Sequence, residues 1–66
     1  MNYSAVLKIQ DENIIKNIAQ NAKYDEVRES AVRHKLSDKS ILENIKNNDS
    51  SEIVRESAAK KLDKLN

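Results

Sequence analysis

Apolar residues recur along the chain at spacings of three and four, the spacing of one face of an α-helix. In two segments this face is rich in Ile and Leu: Ile14, Ile15, Ile18 and Ala22, then Ile41, Leu42 and Ile45. In two other segments it is rich in Val and Ala: Val27 and Ala31, then Val54, Ala58, Leu62 and Leu65. These patterns predict an all-α chain with five helices, near residues 1–9, 11–22, 25–35, 38–48 and 51–65.

The two kinds of helix alternate because the sequence repeats itself. Residues 11–35 align with residues 38–62 at a constant offset of 27 (38 − 11 = 27), and ten of the 25 aligned pairs are identical. The first six residues align in turn with residues 27–32. One helical pair cannot bury its apolar stripe alone, so each repeat is expected to stack on the next. The chain is thus interpreted as a single domain, 1–66, made of a half repeat and two full repeats: 1–10, 11–37 and 38–66.

Short polar residues mark where the predicted helices begin. Asp11, Ser51 and either Ser37 or Asp38 are expected N-caps, since their side-chain oxygens can accept from backbone N–H groups that lack a helical partner. Leu36 falls opposite the Val27 face on a helical wheel. It is therefore expected to lie beyond the end of its helix and to pack over the turn.

Composition narrows the class of protein further. The chain has no Cys, Gly or Pro, which argues against disulfides, thiolate zinc sites, hairpin turns and phosphate-binding loops. Charged residues make up 35% of the chain, but the net charge is only +1, so charge alone indicates neither a nucleic-acid nor a membrane partner. No apolar run approaches the roughly 20 residues of a membrane span. No leader segment is seen, and a cytoplasmic location is expected.

Two segments carry a family resemblance. They read Val-Arg-Glu-Ser-Ala-Val at 27–32 and Val-Arg-Glu-Ser-Ala-Ala-Lys-Lys-Leu at 54–62, and each follows an Ile/Leu helix and an Asp/Asn-rich turn. They resemble the Val-Arg-x-x-Ala-Ala core of bacterial and archaeal HEAT-like repeats of the phycobilisome-lyase type. The resemblance covers nearly the whole chain, although the usual Gly between repeats is absent. It implies a short α-solenoid of about two and a half helical hairpins, and it leaves function open, since the family includes scaffolds, lyase-associated chaperones and DNA-binding superhelices.

Catalytic and metal-binding chemistry finds little support in the sequence. The only histidine, His34, aligns with Lys61, so its position is expected to lie at a rim that tolerates charge. Further metal ligands at suitable spacing are not seen, and the serines fall mostly in caps or in the repeated Glu-Ser-Ala segment. We therefore expect no enzyme, no cofactor, no metal and no small-molecule substrate.

Recurring cations are the first candidates for an interaction surface. Arg28 and Arg55 lie one repeat apart on the flank of the second helices, at a spacing of about 10 Å. The family resemblance implies that such an arginine pairs with an acidic group of its own or the adjacent repeat, here Asp49 or Asp38. The candidate surface also includes exposed residues near these arginines and in the half repeat: Arg33, Lys60, Tyr3 and Leu7.

Tyr3 and Leu7 stand where the later repeats have charged residues, namely Glu29 and Glu56 for Tyr3, and Arg33 and Lys60 for Leu7. In a helix they would be neighbours four residues apart and would form one apolar patch. Either the first helix tucks this patch onto the Ile residues of the second helix, or the patch is an interface with Tyr3 as its anchor.

Three functions remain open. A protein-interaction module is the default for a helical-repeat surface. Nucleic-acid binding along Arg28, Arg33, Lys35, Arg55, Lys60 and Lys64 is an alternative, although Glu29 and Glu56 interrupt that basic face. A self-associating structural unit is the third. The expected partner is therefore an unknown protein or another copy, less favourably a nucleic acid, and not a membrane.

Overall fold

The computed structural model describes the backbone of residues 3–66 and the side chains of residues 5–66. All regular structure in this part of the chain is helical. One helical turn is followed by four helices of ten to fourteen residues: α1 (Tyr3–Val6), α2 (Glu12–Asn21), α3 (Asp25–His34), α4 (Lys39–Asn48) and α5 (Glu52–Leu65). None of the described helices is both long enough and apolar enough to cross a membrane.

The prediction of five full helices is wrong at the N-terminal end. α1 is a single turn that ends at Val6, whereas a helix near residues 1–9 was expected. Tight-turn hydrogen bonds follow it, from Lys8 N to Ala5 O (3.2 Å) and from Ile9 N to Val6 O (3.1 Å). Beyond these turns Ile9 packs against the core outside the helix. The other four helices lie within one residue of their predicted bounds, inside the usual uncertainty at helix ends.

Two predicted N-caps are confirmed by side-chain hydrogen bonds. Asp11 Oδ1 accepts from Asn13 N at 2.9 Å and from Ile14 N at 3.3 Å, and Asp38 Oδ1 accepts from Ile41 N at 3.2 Å. Ser51 holds the N-cap position of α5, but its hydroxyl makes no capping bond. The N-cap position of Ser51 was therefore predicted correctly, but the capping hydrogen bond expected from its side chain is absent.

The helices form two pairs that pack side by side. α2 packs against α3 and α4 packs against α5, while α3 also contacts α1 on one side and α5 on the other. α1, α3 and α5 thus lie in sequence along one side of the molecule. One apolar cluster runs through the junctions: Val6, Ile15, Ala19, Val27, Ala31, Val32, Leu36, Leu42, Ile45, Val54, Ala58 and Leu62.

Leu36 behaves as its place on the helical wheel predicts. α3 ends at His34, and Leu36 is fully buried two residues later, with its N–H donating to Ala31 O at 2.9 Å. Ile14 differs from expectation, since its side chain is 48% exposed. Adjacent residues point about 100° apart on a helix, so Ile14 cannot share the inward direction of Ile15, and Ala19 occupies that face instead.

Candidate interaction surface

Arg28 joins the two repeats through its guanidinium. Its Nε and Nη2 donate to the two carboxylate oxygens of Asp49 at 3.0 and 3.2 Å, and its Nη1 donates to Ala22 O at 2.7 Å. Ala22 is the C-cap of α2, so the arginine satisfies a carbonyl that the helix leaves unpaired. The side chains of Arg28 and Asp49 are only 12% and 5% exposed. The pairing with Asp49 expected for Arg28 is present, and its cation is held within the fold.

Arg55 reproduces only half of this arrangement. Its Nη1 donates to Asp49 O at 2.6 Å, and Asp49 is the C-cap of α4, as Ala22 is of α2. Among the described residues no carboxylate lies against its Nε and Nη2, the two nitrogens that in Arg28 bind Asp49. Equivalent positions in the sequence therefore hold arginines in different states, one with its donors filled and one with two donors open.

Three further hydrogen bonds cross between α3 and the second repeat. Ser51 Oγ donates to Asp25 Oδ2 at 3.0 Å, and Ser57 Oγ donates to Glu29 Oε2 at 2.9 Å. Lys61 Nζ donates to the carbonyl of Arg33 at 2.9 Å, at the C-terminal end of α3. The junction thus combines an apolar core with a row of polar contacts along its rim.

A groove of about 540 Å³ runs along the outer side of this junction. Ile53 stands in it with 58% of its surface exposed. Charged residues of both signs surround that side chain: Glu29, Arg33, Glu56, Lys60, Asp63 and Lys64. The groove offers an apolar contact within a ring of charges, an arrangement that suits a protein surface with an apolar centre and a polar rim.

Ile53 was missed as a candidate at the sequence level. A signal was available, since Ile53 aligns with Glu26, an exposed charged residue of the first repeat. Replacement of a solvent-facing charge by an aliphatic side chain is the kind of departure that drew attention to Tyr3 and Leu7. Ile53 stands next to the buried Val54 in the sequence, and only the structure shows that its own side chain is exposed.

Arg33 and Lys60 lie at the groove, as exposed residues of α3 and α5. Arg33 Nε pairs with Glu29 Oε2 at 3.4 Å, the expected contact between residues four apart. Glu56 and Lys60 are also four residues apart, but they form no ion pair in the described chain. Glu56 therefore keeps an open carboxylate on α5.

Leu7 follows the α1 turn and is 42% exposed, while the side chain of Tyr3 lies outside the described residues. The choice between a tucked cap and an interface for this pair thus stays a prediction. His34 is exposed near the end of α3, as its alignment with Lys61 indicated. The described residues contain no group of three or more His, Cys, Asp or Glu side chains that could hold a metal ion.

Asp38 has a pKa that its hydrogen bonds lower. The Ser40 hydroxyl donates to its Oδ1 at 2.8 Å, the Ile41 N–H donates to the same oxygen, and Lys16 Nζ lies 3.4 Å from its Oδ2. These contacts, the Ser40 hydrogen bond foremost, hold the pKa of Asp38 below its ordinary value of 3.8. The shift follows from its place at the start of α4 and points to a structural role.

The chain matches no protein-family model, no curated protein and no solved structure in the comparisons made.

Proposed function

We propose that this chain is a HEAT-like helical-repeat module that binds a protein partner and carries out no chemistry of its own. In this proposal α2 with α3 and α4 with α5 are successive hairpins of a short solenoid, preceded by a half repeat. Two observations support it: the second helices lie side by side, and Arg28 and Arg55 make the same contact with the C-cap carbonyl of the preceding helix. Repeats that stack in this way present long, side-chain-defined surfaces.

The observation that carries the proposal is the exposed Ile53 in the α3–α5 groove. An aliphatic residue more than half exposed contributes to binding when a partner removes it from water, at roughly 25 cal/mol for each Å² of apolar surface. Charges of both signs around it fix orientation more than affinity. The best-fitting partner is thus a protein segment with an apolar anchor flanked by charged residues.

Nucleic-acid binding receives less support from the same contacts. Arg28 was the first residue of the proposed basic face, and its donors are already directed to Asp49 and to backbone carbonyls. Arg33 lies against Glu29. The cations left at the groove alternate with carboxylates, whereas affinity for nucleic acid grows with the number of phosphates that Lys and Arg neutralise.

Affinity capture with matched variants tests the proposal. The full chain, immobilised, is compared with Ile53→Lys and with Ile14→Lys, the latter changing an Ile of similar exposure, 48%, on α2. Both changes leave the buried core intact, which circular dichroism melts check. We expect the parent and Ile14→Lys to retain a protein, and this retention should survive treatment with nuclease. Ile53→Lys should not retain that protein.

Two results would count against this function. Equal capture by the parent and by Ile53→Lys would remove the groove as the binding site. Capture that disappears with nuclease, or retention on a polyanion column that falls steeply with salt, would favour the nucleic-acid alternative.

A further inference from the structure

α5 has a second set of surface residues, which we call the free edge. It is made of residues whose repeat equivalents in α3 form the junction with the second repeat. The free-edge residues are Glu52, Arg55, Glu56 and Ala59, and their equivalents, in the same order, are Asp25, Arg28, Glu29 and Val32. The free edge therefore carries the same chemistry as a surface that is known, within this molecule, to receive a helical hairpin.

Three of the four α3 residues bind side chains of the second repeat, and the fourth is buried. Asp49 binds Arg28, and the hydroxyls of Ser51 and Ser57 bind Asp25 and Glu29. Val32 is fully buried. The second repeat thus fits this surface through one carboxylate and two hydroxyls, beside a valine that belongs to the core cluster.

The four residues of the free edge have no such match among the described residues. Arg55 binds Asp49 O through Nη1 alone, and this bond is 2.6 Å long, against 2.7 Å for Arg28 with Ala22 O. That common anchor holds the two guanidinium groups in like positions on their helices. Glu52 and Glu56 are exposed, with no polar contact in the described chain, and Ala59 is half-buried.

We propose that the free edge binds a helical hairpin of another protein, with an aspartate at the end of the hairpin's first helix. The aspartate takes the open Nε and Nη2 of Arg55. Like the second repeat, the hairpin has a hydroxyl two residues after that aspartate (51 − 49 = 2) and another six residues later (57 − 51 = 6). The inference rests on the proposed protein-binding function and assigns a partner class to a surface that shares Glu56, but not Ile53, with the groove.

A second copy of this chain fits the free edge poorly. Stacked in the same geometry, the copy would present Ala22 where the junction has Asp49, because the two are repeat equivalents. Arg55 would then remain without a carboxylate. The Lys16 and Asp38 pair, 3.4 Å apart within the molecule, would be replaced by two acids, Glu43 and Asp11. A hairpin of different sequence is therefore the better match, and sedimentation of the parent is expected to show a monomer.

The test uses a synthetic peptide of sequence 38–66 as the probe, since it contains the matched carboxylate and hydroxyls. It is titrated into the ¹⁵N-labelled full chain, and amide and arginine Nε–Hε signals are followed by NMR. We expect saturable binding with shifts at Arg55 and along the free edge, and at least tenfold weaker binding for the Asp49→Asn peptide. Arg55→Gln in the chain should weaken binding as much, while the matched change Arg33→Gln should not.

Further outcomes separate this inference from the proposed function. The free-edge proposal would be overturned if peptide binding did not saturate. It would also be overturned by shifts centred on Arg28, because these would mean that the peptide replaces the chain's own second repeat. Concentration-dependent self-association of the parent would overturn the choice of a different chain. Ile53→Lys should leave peptide binding unchanged; if peptide binding fails while capture still depends on Ile53, the free edge is wrong and the groove stands. Thermal melts of Arg55→Gln confirm that the tested chain is folded.

Discussion

Arg28 and Arg55 allow a stability prediction in which the sequence supplies its own control. Both arginines bind the C-cap carbonyl of the preceding helix, but only Arg28 also binds a carboxylate. Replacing either by Met keeps the aliphatic stem and removes the guanidinium. Arg55→Met loses one charge-assisted hydrogen bond, about 1.5–3 kcal/mol.

Arg28→Met lowers the free energy of unfolding further because it leaves the Asp49 carboxylate without its cation. The Asp49 side chain is only 5% exposed, and without its cation it retains a hydrogen bond from Ser51 N at 2.8 Å. Breaking a buried ion pair on one side costs about 3–5 kcal/mol. Both variants lose the bond to the C-cap carbonyl, so we expect Arg28→Met to be less stable than Arg55→Met by this further cost, about 3–5 kcal/mol. At roughly 0.05–0.15 kcal/mol per residue, a chain of 66 residues has only about 3–10 kcal/mol in total, so this difference is large.

Urea denaturation followed by circular dichroism measures the difference between the two variants. Equal slopes would show that both unfold over the same surface, so that midpoints can be compared directly. Adding Asp49→Asn to Arg28→Met should recover part of the loss, since it removes the stranded charge. Equal midpoints for the two single variants, with no recovery in the double variant, would refute the claim that the Asp49 pair distinguishes them.

Three other predictions concern the core, the acid limb and the half repeat. Ile45→Ala, at a position 3% exposed, should cost about 2–5 kcal/mol and leave the chain largely unfolded at 25 °C; a melt like that of the parent would contradict the core assignment. The Ser40 hydrogen bond lowers the pKa of Asp38 in the folded chain, so the ionised carboxylate stabilises the fold. This contribution to the free energy of unfolding is complete above pH 3.8 and is lost as the pH falls below that value. Asp38→Asn should therefore flatten the acid limb of a pH titration of stability, and an unchanged limb would assign it to other groups. The double change Tyr3→Glu with Leu7→Arg should leave the melt unaltered but abolish binding if the pair is an interface, whereas unfolding would show that it belongs to the core.

The repeat made much of the helical structure predictable. An offset of 27 residues located four helices, and the spacing of Val54, Ala58 and Leu62 identified a face that is buried in the structure. Helical periodicity needs only local geometry, so it can be read without knowing what each helix packs against. Leu36 shows the same principle, since a residue opposite the buried face had to leave the helix before it could reach the core.

Only the tertiary structure decided where α1 ends and which polar groups meet. α1 ends at Val6, and Ile9 packs against the core outside the helix, which periodicity alone did not predict. Arg28 and Arg55 are identical in their local sequence, yet one binds a carboxylate and the other keeps two donors open. The carboxylate comes from a residue 21 positions away, so the difference depends on the position of the neighbouring repeat. Local sequence determined the helices and their buried faces, and the stacking of the repeats determined which charges are satisfied, because hydrogen bonds and ion pairs depend on distances between residues far apart in the chain.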